Sequence, residues 1–219
     1  MAHVQFGAAS RPRVKPHDRG GEPALPVAPE RIANDWTMPI THLPPNKAIA
    51  LVGLMGVGKS SIGRRLANAL GLPFRDADEE IEAAAGRSIT EIFSLYGEAA
   101  FRDGERRVIA RLLEDPPHVL ATGGGAFAQA ETRAVIKQKA ISVWLKADIE
   151  VLVRRVAKRD HRPLLVGRDP REVLTALAKE RYPTFAAADI HIETGDAPHQ
   201  VAVDAILAAL AAYHPAGEL

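Results

Sequence analysis

The sequence predicts an α/β protein, a three-layer α/β/α sandwich around a parallel sheet. Three observations carry that expectation. Five short apolar runs are separated by stretches with helical spacing, the order expected of β-α repeats. The first of them, Ala48–Val52, is apolar throughout rather than alternating, as a strand covered on both faces must be. The 219 residues are 47% hydrophobic and 25% charged, enough apolar side chain to bury a core without disulfide or metal staples.

The alternation begins at Lys47. Ala48–Val52 is an apolar pentapeptide running into Gly53, a buried parallel strand. Residues Lys59–Leu70 place Ile62, Leu66, Ala69 and Leu70 on one helical face, and Gly71 stops the helix. Leu72–Arg75 is a second strand leading into Asp76, and Glu79–Ala85 a short helix closed by Gly86. Helices follow over Thr90–Leu95 and Glu98–Glu114, interrupted near Gly97. Val119–Thr122 is a third strand, ending on Gly123, Gly124 and Gly125. A helix over Glu131–Gln138 precedes the fourth strand, Ile141–Leu145. Ile149–Lys158 is helical, Arg159–Asp169 a polar loop, and Arg171–Tyr182 a helix ended by Pro183. Ile190–Ile192 is the fifth strand and Val201–Ala212 the last helix.

Residues 1–46 differ in kind. Eight of the 16 prolines lie there, with almost no apolar periodicity, so the segment is expected to be a disordered extension to a domain over 47–219. Its alternative reading is a docking arm using Ile32 and Trp36. Five Lys/Arg face four Asp/Glu in this segment, and the remainder carries 23 of each. A net charge of +1 provides no global field for nucleic acid, and no nucleic-acid partner is expected. The absence of cysteine excludes a disulfide scaffold, a thiolate zinc site and a cysteine nucleophile. No apolar run is long enough to span a bilayer, so no membrane partner is expected. The first residues are basic but lack an apolar core, and early prolines and acids from Asp18 onward argue against a transit peptide. A cytoplasmic monomer is the expectation.

Gly53–Ser60 spells G-x-x-x-x-G-K-S between a predicted strand and a predicted helix. Glycines let the chain curl so that backbone N–H groups face phosphate, and the helix N-terminus adds positive potential. Lys59 would reach the β- and γ-phosphates and the Ser60 hydroxyl would ligate Mg²⁺. Asp76 and Asp78 follow the second strand, at the sheet end where ligands bind. One carboxylate there can hold Mg²⁺ through water, and another can accept a proton from an attacking hydroxyl. Helix capping is the alternative role for Asp78. Arg102 and Glu105 stand one turn apart, either as a carboxylate clamp with its support or as a surface ion pair. The loop Arg159–Leu165, which contains Arg162, is either a lid that brings charge to a transferring phosphoryl group or a solvated connector. Lys179 and Arg181 close a helix, where cations favour the C-terminal dipole in any case. His118, His161, His191 and His199 show neither metal-ligand spacing nor a partner pattern, and none receives a role.

In order, the chain reads GxxGxGKS, Phe74-x-Asp76-x-Asp78, Ser88-Ile-x-Glu-Ile-Phe93, Gly97-Glu-x-x-Phe101-Arg102-x-x-Glu105, Thr122-Gly-Gly-Gly125, Arg162-Pro-Leu-Leu165 and Arg181-x-Pro183. This series, from about Lys47 to Tyr213, resembles the shikimate kinase family. The resemblance implies a nucleoside-monophosphate-kinase-type P-loop fold with a five-stranded parallel sheet and a lid at about 159–169. It implies ATP-dependent phosphorylation of the 3-hydroxyl of shikimate, on the route to chorismate and the aromatic amino acids. By that resemblance Gly56, Val57, Gly58, Lys59, Ser60 and Ser61 bind the ATP phosphates, with Ser60 on Mg²⁺ and Asp76 supporting it through water. Asp78 binds the shikimate hydroxyls and is the candidate base, and Lys59 and Arg162 complete the catalytic set. Arg102 and Arg181 bind the carboxylate, Gly124 touches substrate through its backbone, Phe93 and Phe101 line the ring, and Arg162 reaches the phosphates. There are departures: phenylalanine at Phe185 where the family often has tyrosine, Pro198 near the adenine side, and the proline-rich extension. Two competing readings are another small P-loop kinase, acting on gluconate or a nucleoside monophosphate, and a non-catalytic shikimate or ATP sensor. The ordered DxD, FRxxE and GGG segments argue against the first, and intact Lys59, Ser60, Asp76, Asp78 and Arg162 against the second.

Overall fold

The structure, a computed structural model, describes residues 47–157 and 167–214. The expected extension over 1–46, with Ile32 and Trp36, lies outside the described residues, as do Arg162 and most of the expected lid.

Five strands form one all-parallel sheet: β1 (Ala48–Val52), β2 (Phe74–Asp76), β3 (Val119–Ala121), β4 (Ala140–Lys146) and β5 (Ile190–Glu193). Their spatial order is β2-β3-β1-β4-β5. The apolar pentapeptide Ala48–Val52 is the central strand, paired with β3 on one side and β4 on the other and buried at every position. At the edge, β5 alternates buried and exposed residues, because one of its faces meets solvent. The buried hydroxyl of Ser142 in β4 is satisfied by Asp189, just before β5: Ser142 Oγ donates to its carboxylate at 2.6 Å and accepts from its backbone N–H at 3.0 Å.

The helices are α1 (Lys59–Leu70), α2 (Ala77–Ala85), α3 (Ile89–Leu112), α4 (Ala130–Lys139), α5 (Ile149–Val156), α6 (Pro170–Phe185) and α7 (His199–Ala211). The two helices expected around Gly97 form one element with a kink, where Gly97 adopts φ 77° and ψ 174°. A capping box starts α3, with Ser88 and Glu91 satisfying each other's backbone N–H. Among the described residues, no helix is long and apolar enough to cross a membrane.

Two boundaries differ from expectation. The first is α2, which begins at Ala77 and is capped by Asp76, not Asp78. The Asp76 carboxylate accepts from the Asp78 backbone N–H at 3.1 Å, so Asp78 falls in the first turn. The second is α6, which does not stop before Pro183 but continues to Phe185. Proline removes one N–H from the last turn, and burial of Phe185 outweighs that loss. Its ring is 1% exposed and lies 6.0 to 6.5 Å from the rings of Phe127, Trp144 and Tyr182. The main core wraps both faces of the sheet, and a smaller cluster of Ile81, Ile92 and Phe101 joins α2 to α3.

Phe185 therefore anchors the helix that carries Arg181. Replacing it with alanine is expected to cost about 3–5 kcal/mol of stability, read as a lower urea midpoint with an unchanged slope.

Candidate active site

The functional residues gather at the C-terminal ends of the strands. The chain after β1 proceeds to β2 and β3 on one side and to β4 and β5 on the other, so a crevice opens beside β1. The phosphate loop fills that position. Gly53 takes φ 139°, and a side chain there would meet the Leu145 carbonyl oxygen of β4 at 2.4 Å. Gly58 caps α1 at φ 102° with no side chain in the way, which leaves the first N–H groups of the helix unobstructed. Gly56 and Val57 complete the turn, and Lys59, Ser60 and Ser61 form the first turn of α1. Lys59 Nζ donates to the carbonyls of Gly53 at 2.8 Å and Leu54 at 3.0 Å, so its ammonium is held against the loop.

On the β2 side, Asp76 serves two partners. One carboxylate oxygen caps α2, and the other accepts from Ser60 Oγ at 2.6 Å. A hydroxyl and a carboxylate in contact beside a phosphate loop are hard oxygen donors, a set that fits Mg²⁺.

The β3 side brings together four charged side chains around the glycine turn. Positions 123 and 125 lie against side chains of α3, and position 124 lies against the phosphate loop. A side chain on Gly123 would meet the Glu105 carboxylate at 2.4 Å and Asp78 at 3.1 Å. One on Gly124 would press on the Met55 backbone N at 3.2 Å, and one on Gly125 on the Arg102 guanidinium at 2.7 Å. Arg102 donates to Glu105 at 2.7 Å and to Glu98 at 3.2 Å. Arg181, from α6, donates to the Gly124 carbonyl at 3.1 Å. Arg133 donates to the carbonyls of Phe127 and Ala128 and steadies the chain just beyond the turn.

Burial shapes the charges of this wall. It works to lower the Arg102 guanidinium, but the carboxylates of Glu105 and Glu98 outweigh it and leave Arg102 above its ordinary value. Arg181 is held below the usual arginine range by burial and by the nearby charge of Arg102, with Glu180 opposing. Burial pushes the Glu105 carboxyl above the usual carboxylate range despite Arg102. Among the described residues, Glu105 Oε1 and Arg181 Nε are buried without a hydrogen-bond partner. Phe101 packs in the smaller core and stacks at 4.5 Å from Phe93.

On the β4 and β5 side lies a cavity of about 600 Å³, bordered by Arg154, Arg155, Asp196, Pro198 and His199. Arg155 donates to the Val57 carbonyl at 3.3 Å and to that of Gly195, linking the phosphate loop to the segment before α7. Pro198, expected near the adenine side, borders this cavity. Arg155 and His199 were not expected there, since their proximity to the loop is made by strand order and has no local signal.

Fold and phosphate loop together define a P-loop kinase of the small, single-sheet kind. The sequence profile described as shikimate kinase matches residues 55–211. A shikimate kinase of Caulobacter vibrioides is 72% identical over 168 residues, which cover 77% of this chain and 84% of that protein. One from Brucella canis is 52% identical over 177 residues, covering 81% and 88%. The solved structure of a shikimate kinase from Acinetobacter baumannii in complex with shikimate aligns with a TM-score of 0.75 at 38% identity, over 80% of this chain and 98% of that one. The chain belongs to the shikimate kinase family.

The buried Glu105 leads to a pH signature. Its folded carboxyl keeps its proton to higher pH than it does in the unfolded chain. The associated stability is full below the unfolded value of about 4.3 and is lost as pH rises through the elevated folded value. Urea unfolding of the wild type and Glu105→Gln between about pH 4 and 8 should show the wild type losing ground to the variant as pH rises.

Proposed function

We propose that the chain transfers the γ-phosphoryl group of ATP to the 3-hydroxyl of shikimate, giving ADP and shikimate 3-phosphate, a step toward chorismate and the aromatic amino acids. The observation that carries this reading is the convergence of Arg102 and Arg181, from two different helices, on the Gly123–Gly125 turn. Two largely buried guanidinium groups on one wall suit a carboxylate substrate. A neutral polyol would offer no anionic partner to the donors that Glu98, Glu105 and the Gly124 carbonyl leave unused.

The backbone N–H groups of Gly56 to Ser61 hold the β- and γ-phosphates, and Lys59 neutralises charge on the γ-phosphoryl oxygens. Ser60 and, through water, Asp76 would hold Mg²⁺, which would supply further neutralisation of phosphate charge. Asp78 orients the 3-hydroxyl and takes its proton as that oxygen bonds to phosphorus. The bond from the γ-phosphorus to the bridging oxygen breaks, and ADP leaves. The Gly124 backbone and the rings of Phe93 and Phe101 border the acceptor. Family pattern supports Arg162 as a further cation for the phosphates, on a lid over about 159–169. The same reading divides the chain into a kinase domain at 47–219 and an extension at 1–46, and makes it a cytoplasmic monomer.

The test is ADP release from Mg²⁺-ATP with shikimate, gluconate, AMP or no acceptor. ADP formed only with shikimate supports the assignment, and turnover with another acceptor refutes it. Lys59→Met should lose turnover by orders of magnitude while its circular dichroism and urea midpoint stay close to wild type. Arg102→Ala should raise the apparent KM for shikimate about tenfold to a hundredfold and leave that for ATP nearly unchanged. An unaltered shikimate KM would refute the clamp.

A further inference from the structure

Glu98 follows directly on the kink of α3. Gly97 leaves helical geometry at φ 77° and ψ 174°, so Glu98 opens the second helical stretch, one turn ahead of Arg102. A single carboxylate oxygen of Glu98, Oε1, accepts from both Nε and Nη2 of Arg102, at 3.3 and 3.2 Å. Those two nitrogens form one edge of the guanidinium. A carboxylate that takes such an edge with both oxygens does so at about 2.7–2.9 Å. Glu98 therefore holds a forked edge without filling it.

The two carboxylates on Arg102 differ in kind. Glu105 has a side chain 0% exposed and accepts from Nη1 at 2.7 Å, so it is a fixture of the wall. The Glu98 side chain is 59% exposed and its bonds are long. An exposed pair at i,i+4 contributes little to stability, and its carboxylate returns to water at small cost. Arg102 itself is only 14% exposed, so an anion on its outer edge meets a partly desolvated cation. The charge of Glu98 also reaches the second arginine. Burial lowers Arg181, and Glu180 and Glu98 act against that shift while Arg102 adds to it. Glu98 is thus a solvent-facing anion acting on both guanidinium groups of the clamp.

We propose that Glu98 is an affinity-setting residue of the acceptor site, which competes with the substrate carboxylate for Arg102. It holds the Nε–Nη2 edge while the site is empty and gives that edge up when substrate arrives. The empty clamp is kept partnered, and the substrate binds less tightly than the two arginines alone would allow. This rests on the assignment of Arg102 to the carboxylate under the proposed function.

Calorimetric titration of the full chain with shikimate and with Mg²⁺-ADP tests it, using the wild type, Glu98→Gln and Glu98→Ala. Both variants should bind shikimate about two- to fivefold more tightly, the effect of removing one exposed ion pair from the empty site. The gain should shrink as salt is raised, and the Kd for ADP should stay the same. In turnover, the KM for shikimate should fall while kcat stays near the wild-type value. In an Arg102→Ala background, Glu98→Gln should leave kcat/KM for shikimate unchanged, because the contested edge is gone. Weaker or unaltered shikimate binding in both Glu98 variants would overturn the proposal, since Glu98 would then support Arg102 or merely accompany it. A gain that persists in the Arg102→Ala background would also overturn it, because the charge would then act through the general field of the site. An Arg102→Ala enzyme with an unaltered shikimate KM would defeat the clamp reading and this inference together. A raised KM in that variant without tighter binding in the Glu98 variants would defeat only this inference.

Discussion

The burial of β1 between β3 and β4 is the constraint on which the site depends. Every residue of that strand is covered, and both of its edges are hydrogen-bonded. Its C-terminal end has no freedom to slide or tilt. The chain leaving it must turn at Gly53 against the Leu145 carbonyl, with no room for a Cβ. The phosphate loop is therefore aimed by the sheet, and α1 then presents its N-terminal amides at a fixed place. Thr122 reinforces this arrangement by donating to the Leu51 carbonyl at 2.9 Å, which ties the glycine turn after β3 to the same strand.

Around that fixed point, the two sides of the crevice differ in chemistry. The β2 and β3 side concentrates charge under partial burial: Asp78, Glu105, Arg102 and Arg181 lie around three glycines. Buried charges are costly unless paired. Here Glu105 is paired through only one oxygen, and Arg181 spends one donor on a backbone carbonyl. Such a wall is incomplete by itself and suits a ligand that carries a carboxylate and hydroxyls. The β4 and β5 side is looser, with a cavity bordered by proline, histidine and two arginines. Arg155 spans that side by bonding both to the phosphate loop and to the chain before α7.

Much of this was legible locally. The phosphate loop needs only a strand, a glycine-rich turn and a helix start within a dozen residues, and all three appear in sequence. The central strands β1, β3 and β4 were legible because burial makes them almost continuously apolar, and the edge strands β2 and β5 were legible from their place between helices. The dual use of Asp76 was not, because a strand end and a helix cap coincide on one residue, and the pattern offered capping only as an alternative role for Asp78. Nor was the continuation of α6 past Pro183. Local propensity ends the helix there, but Phe185 gains its burial from Phe127 and Trp144, which are distant in the chain.

The sequence by itself determined the class of fold, the phosphate loop and the types of residue available for chemistry, because each follows from short-range periodicity and from side-chain chemistry. Tertiary structure alone decided the strand order and the meetings it produces: Arg181 with Gly124, Glu105 with Gly123, and His199 with Gly58. Those contacts join residues far apart in the chain. Their geometry is set by which strands lie next to β1, a non-local outcome of packing apolar faces that no local pattern records.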